Sequence, residues 1–136
     1  MTDNKQLALD LSRAIMKGDW ATVDALLADD FVYVGDARPP MNKAQYVDFM
    51  RHVLCVAMTD MDMSFPRVVA EGEFVAVDYT NTMTHSGQFF DIPATGRRVM
   101  GTGQFMRQVR DGRVVAEWQT TNMAGLMAQL GAGGAR

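Results

Sequence analysis

The stretch that most restricts the fold is residues 99–122, VMGTGQFMRQVRDGRVVAEWQTTN. Two runs of alternating polar and apolar residues flank Asp111-Gly112. Asp-Gly suits the two-residue turn whose central residues both take positive φ, so the runs are predicted to pair as an antiparallel hairpin. With that turn, Arg110 faces Arg113, Val109 faces Val114, Arg107 faces Ala116, Phe105 faces Trp118 and Gly103 faces Thr120. Side chains alternate between the two faces of a strand, so the pairs from Val109–Val114 onward share one face and Asn122 continues the row. It is the more aromatic face and is expected to line the interior. Gln104, Met106, Gln108, Val115, Glu117 and Gln119 form the opposite face, turned to solvent or to the sheet of another subunit.

The segments before the hairpin read differently. Residues 3–17 carry Leu7, Leu9, Leu11, Ala14 and Ile15 at helical spacing, with Thr2 or Asp3 as cap and Gly18 as the stop. A second helix is expected over 19–28, with Asp19 as N-cap and Trp20, Val23, Leu26 and Leu27 facing in. FVYVG (31–35) reads as a short buried strand, GDARPPM (35–41) as a loop, and Asn42 as the cap of a third helix running through Val56. Residues 60–70 alternate well enough for a strand in which Pro66 marks an edge or a bulge. A turn at 71–73, a return strand over 74–85 and a loop over 86–98 lead into the hairpin, and a short helix follows it. Helices first and hairpin-linked strands after is the α+β pattern. Residues 1–131 read as one domain and 132–136 as a disordered tail.

Composition excludes several classes. The net charge is −3 and the charges are scattered. Arg107, Arg110 and Arg113 alternate with apolar residues beside a turn and make no basic stripe, so no nucleic-acid partner is expected. The single Cys55 has no partner for an internal disulfide and reads as a packed helix residue. The N-terminus has no secretory pattern and no apolar run has the length of a membrane span, so a cytoplasmic protein is expected. There is no Gly-rich phosphate loop, no Cys/His metal spacing and no G-x-S-x-G elbow, and neither a cofactor nor a metal is expected.

Two polar residues of the hairpin, Arg107 and Asn122, fall in the inward row. Burying either without a partner costs about 1–3 kcal/mol or more. A ligand can complete their hydrogen bonds; alternatively Arg107 reaches the rim and Asn122 caps the following helix. On the return strand Asp78, Thr80, Thr82 and Thr84 form one face, and Val77, Tyr79, Asn81, Met83 and His85 the other. Period alone does not say which faces in. His85 adjoins the loop that would close a pocket, which makes it a candidate general base or proton carrier. His52 reads as a partly exposed helix residue. Asp78 is solvated, paired with an arginine, or buried as a proton acceptor. Trp118, Phe105 and Tyr33 are candidates for stacking on a ligand's rings, with Thr120 in the same inward row. The twelve methionines, Met50 among them, suit core packing or a pocket for a flat apolar guest.

The segments THSGQFFDIPATGRRV and QFMRQVRDGRVVAEWQTTNMAGLMAQLG resemble the SnoaL-like polyketide cyclases. The pattern consists of His85 and Gly87, Pro93 to Gly96, Asp111 and Gly112, Trp118, and Gly125 to Gly131. It covers the last third of the chain closely, and the first half in element order. The resemblance implies a cone-shaped curved sheet, mixed or antiparallel, wrapped by the N-terminal helices around an internal cavity. It implies a cofactor-independent enzyme acting on a hydrophobic, polyketide-like or polycyclic molecule through enolate or phenolate chemistry. The family's acid corresponds here to Asn122, which can donate a hydrogen bond to an oxyanion but exchanges no proton near neutral pH. In that reading Asn122, His85, Arg107 and Asp78 carry the chemistry, and cyclisation, isomerisation and hydroxylation are all open. A non-catalytic binding or dimeric interaction domain is the alternative. Met106, Val115 and their neighbours on the outer face lead us to expect a homodimer.

Overall fold

The computed structural model describes residues 3–36 and 38–131. Helix α1 (Asn4–Lys17) starts where the Asp3 side chain accepts from the Gln6 N–H and stops at Gly18, whose φ of 70° closes the last turn. Asp19 caps α2 (Trp20–Leu26) through the Thr22 N–H. This helix ends two residues before the predicted Ala28. Leu27 is drawn into strand β1 (Leu27–Gly35), where it pairs with Val114, and that pairing outweighs its helical preference. Lys43 Nζ then binds the freed carbonyls of Asp24 and Leu27 at 3.0 Å each.

After the short β2 (Met41–Asn42), Asn42 and Gln45 form a capping box that opens α3 (Lys43–Phe49). The predicted third helix is not uniform. Residues Met50–Leu54 form a π-helical turn, with the Cys55 N–H reaching back to the Met50 carbonyl, before α4 (Cys55–Ala57) completes the segment. Four long strands follow: β3 (Met58–Glu71), β4 (Phe74–His85), β5 (Arg98–Arg110) and β6 (Arg113–Thr121), with α5 (Met123–Gln129) last.

The six strands make one curved, unclosed sheet in the order β2-β1-β6-β5-β4-β3. All neighbours are antiparallel except β1 and β6, which run parallel, so the sheet is mixed. β3 is one of the two edge strands, and its register shifts between Ser64 and Arg67, so Pro66 meets both expectations for it. The inner face packs on α1 through Leu7, Leu11 and Ile15 in one cluster with Phe31, Tyr46, Val75 and Phe105. A second cluster joins Met58, Met83, Phe89 and Val99 to Leu126 of α5 and to Leu130, which follows that helix.

The hairpin turns as its sequence requires, with φ of 52° at Asp111 and 75° at Gly112. Its register departs from the simple count. Val109 pairs with Val114 but Gln108 pairs with Ala116, so Val115 is an extra residue on β6. Beyond this bulge the pairs are Arg107 with Glu117, Met106 with Trp118 and Phe105 with Gln119. One inserted residue exchanges the two faces of a strand. Glu117 and Gln119 therefore turn inward. Trp118, 38% exposed, and exposed Thr120 turn outward, contrary to the reading from the turn alone.

On the outer face, paired positions set Val34, Trp118, Met106, Ala76 and Val69 in a row across five strands. All but Ala76 are exposed large apolar side chains. Among the described residues, no helix is long and apolar enough to cross a membrane.

Candidate functional site

Strand β5 carries the motif Gly101-Thr102-Gly103, and both glycines lie on its inner face. The space a Gly103 side chain would take holds the Thr120 carbonyl and the Tyr79 hydroxyl. Gly101 lines a pocket of about 220 Å³. Its walls are mostly apolar, with Met50, Met61, Met63, Met83, Phe49, Phe89 and Phe105 among the lining residues. The polar groups come mainly from β4, β6 and the end of β1.

At the α1 side, Arg107 and Glu117 are 3% and 1% exposed. Arg107 Nε donates to Glu117 Oε1 at 2.7 Å, and Nη1 donates to the Ala8 carbonyl and to Ser12 Oγ (2.8 Å). The small side chains of Ala8 and Ser12 let the guanidinium approach the helix. Its carbon sits 4.1 Å from the centre of the Phe105 ring. The Tyr46 hydroxyl donates to the same Glu117 oxygen at 3.3 Å. Burial works against the Arg107 charge, but Glu117 and Tyr46 outweigh it and raise its pKa above the ordinary value.

A chain of hydrogen bonds crosses the pocket wall. The Tyr33 hydroxyl donates to Gln119 Oε1 (2.8 Å), Gln119 Nε2 donates to the Tyr79 oxygen (2.9 Å), and the Tyr79 hydroxyl meets Thr121 Oγ1 at 3.2 Å. Two glycines make room for it. A Cβ at Gly35 would overlap the Tyr33 hydroxyl, and one at Gly103 would overlap the Thr120 carbonyl and crowd the Tyr79 hydroxyl. Burial, followed by the charge of Glu117, holds the Tyr33 and Tyr46 phenols well above their ordinary pKa. Burial raises Tyr79 too, against the opposing hydrogen bonds from Thr121 and Gln119. All three phenols are thus neutral donors and acceptors at neutral pH.

Asp36, at φ 50°, turns the chain after β1 and accepts the Thr121 N–H at 2.8 Å, with its carboxylate on the pocket wall. Arg38 lies against Phe49 and Phe90 at the rim, 4.5 and 5.2 Å from their ring centres. Asn81 also lines the pocket, is 8% exposed, and its Oδ1 has no partner among the described residues. An orphan acceptor of this kind costs about 1–3 kcal/mol unless water or a ligand reaches it.

The model of the SnoaL-like polyketide cyclases matches residues 5–130. The chain belongs to this family.

Among solved structures, AclR of Streptomyces galilaeus, described as a candidate hydroxylase, is 28% identical with a TM-score of 0.84, over 94% of this chain and 95% of that one. IdmH of Streptomyces antibioticus, described as a candidate polyketide cyclase, is 29% identical with a TM-score of 0.84, over 96% and 99%. An LEH-like epoxide hydrolase of M. tuberculosis, at 19% identity and a TM-score of 0.75 over 96% and 90%, shares the fold. No curated protein shows a significant match.

In this SnoaL-like chain the predicted site residues separate into two groups. Arg107, Phe105, Tyr33 and Met50 line the pocket. Asn122, His85, Asp78, Trp118 and Thr120 do not. Asn122 is exposed and caps α5, accepting the Gly125 N–H at 3.0 Å. A Cβ at Gly125 would crowd the Asn122 amide and shift it. Asp78 lies on the outer face, where Gln104 and Arg67 hold its carboxyl below the ordinary value. Trp118 and Thr120 follow the bulge outward.

His85 is fully buried, outside the pocket lining. Its Nδ1 accepts from the Thr95 N–H (3.2 Å) and meets Thr95 Oγ1 at 2.9 Å, which leaves the ring proton on Nε2. Backbone bonds from His85 N to the Arg97 carbonyl and from Gly96 N to the His85 carbonyl complete the anchor. His85 fastens the 86–97 loop, whose Phe89 and Phe90 line the pocket. Ser12, Asp36, Arg38, Tyr46, Tyr79, Asn81, Glu117, Gln119 and Thr121 are the polar lining residues the sequence reading left out of the site. Among the described residues no group of three or more His, Cys, Asp or Glu side chains is placed to hold a metal ion.

Proposed function

We propose that the protein is a cofactor-independent enzyme acting on a hydrophobic polyketide-like or polycyclic molecule through an enolate or phenolate. The observation that carries this reading is the pairing of an apolar pocket with one polar wall, where the Tyr33–Gln119–Tyr79–Thr121 chain ends beside the Asp36 carboxylate. A carboxylate next to neutral hydroxyl donors is the arrangement that proton abstraction beside a carbonyl needs. In this reading Asp36 takes the proton, and the Tyr79 and Thr121 hydroxyls steady the negative oxygen. Arg107 is spent on Glu117, Ser12 and Ala8 and serves to fix the wall. The candidate hydroxylase and candidate cyclase among the relatives are consistent with chemistry of this kind.

The test needs no native substrate. With 2-tetralone in deuterated buffer, NMR reads exchange of the acidic C1 protons. The protein should accelerate exchange, and Asp36→Asn should remove about a hundredfold or more of that acceleration. Binding of the ketone without accelerated exchange would instead establish the second reading, a binding domain. That reading is favoured by one observation: neither Asn122 nor His85, the two groups at the family's motif positions, reaches the pocket.

The expected homodimer is placed, in this proposal, on the outer face of the sheet. The row of Val34, Trp118, Met106 and Val69 supplies the apolar surface that a second copy would cover.

A further inference from the structure

The pocket wall holds one polar side chain whose acceptor no protein group answers. Asn81 sits on β4 between Met63 of β3 and Gly101 of β5. Gly101 has no side chain to cover it, and the next inward residues along β4 are Tyr79 and Met83. Neighbouring acceptors in the hydrogen-bonded wall are engaged: Gln119 Oε1 by Tyr33, the Tyr79 oxygen by Gln119, and Asp36 Oδ1 by the Thr121 N–H. Asn81 Oδ1 is buried without a partner among the described residues, and Asn81 lines the pocket together with Met61, Met63 and Met83. An apolar guest laid over it would seal the orphan in; a guest with a hydroxyl there would satisfy it.

We infer that Asn81 is a specificity-determining residue that selects guests carrying a hydroxyl, phenolic or enolic, on an otherwise apolar ring skeleton. The inference rests on the ligand-pocket part of the proposed function and narrows its substrate class. It is independent of whether the guest is turned over. A site built to bond a hydroxyl discriminates against the analogue lacking it, because the protein acceptor is then left buried and dry.

Calorimetry with 2-naphthol and its O-methyl ether, 2-methoxynaphthalene, provides the test. The two share a skeleton and differ in the donor. Wild-type protein should bind 2-naphthol about tenfold more tightly than the ether. Asn81→Leu, of similar volume, should bind the two alike while keeping or improving its affinity for the ether. Equal binding of both probes by the wild type overturns the inference and leaves the pocket reading standing. So does a preference that survives in Asn81→Leu. Failure of wild type to bind either probe overturns the pocket reading and this inference with it. Should Asn81→Leu not fold, Asn81→Ser, which keeps an oxygen but shortens its reach, should reduce the preference, and the wild-type comparison stands without any variant.

Discussion

Removing the Arg107 side chain gives the sharpest test of how the pocket wall is held. Arg107→Met keeps the length and apolar stem of the residue but deletes the guanidinium. Glu117, 1% exposed, then keeps only the 3.3 Å bond from Tyr46. Ser12 Oγ loses its donor as well. Breaking one side of a buried ion pair costs about 3–5 kcal/mol, against about 5–15 kcal/mol for the whole stability of a domain. For a chain of this size that corresponds to a fall in Tm of roughly 10–20 °C. Glu117→Leu should cost a similar amount, because it leaves a buried cation. The double variant Arg107→Met/Glu117→Leu should be no less stable than either single one, since no charge is stranded. Urea unfolding followed by circular dichroism, with unchanged m-values, gives the cycle. Additivity of the two single effects to within about 0.5 kcal/mol would refute the argument, because independent losses mean the two charges do not depend on each other.

Four further outcomes follow from the geometry. The three tyrosines have folded pKa values raised above the ordinary 10.0. Above pH about 10 the unfolded chain therefore binds fewer protons than the folded one, so stability falls as pH rises. Absorbance at 295 nm should show no tyrosinate until the protein unfolds, and a reversible rise near pH 10 with intact near-UV dichroism would contradict this. Gly103→Ala, which sets a Cβ against the Thr120 carbonyl, should destabilise by about 2 kcal/mol or more and weaken probe binding, read by thermal melting and calorimetry. Asn122→Ala should lose about 1 kcal/mol as a helix cap and leave ligand binding unchanged, whereas Asn122→Asp should preserve both; a large effect on turnover of any identified substrate would return Asn122 to the site. If the outer face joins two copies, Met106→Glu should shift the protein to monomer in sedimentation with little effect on the pocket, and an unchanged mass would exclude that interface.

The fold was legible because its signals are local. Asp3, Asp19 and Asn42 cap the helices as their positions suggest, Gly18 stops α1, and Asp111-Gly112 turns the last hairpin. Pro66 marked an edge strand and an irregularity. The π-helical turn at Met50–Leu54 left no local sign, since its residues suit an ordinary helix equally well.

The site was legible only where alternation ran unbroken. On β5 the period of two placed Phe105 and Arg107 inside, as observed. On β6 the same counting failed after Val115, because no residue there announces a bulge. Glu117 was the available clue: opposite Arg107 a buried carboxylate satisfies the cation, whereas Ala116 would leave it stranded. On β4 the sequence left both faces open, and only the packing of α1 and the flanking strands decides that Tyr79 and Asn81 are inside.

The extra residue at Val115 acts on β6 much as an inserted base acts on a reading frame. Everything downstream keeps its chemistry and changes its audience. Taking it out would send Glu117 and Gln119 to the outside and turn Trp118 and Thr120 toward the pocket. The pocket would lose its acid–amide wall, and the outer surface would gain a carboxylate where it now shows an indole. The pocket lining and the outer surface are thus geared together through one position, and descent or design that alters the length of this hairpin must move both at once.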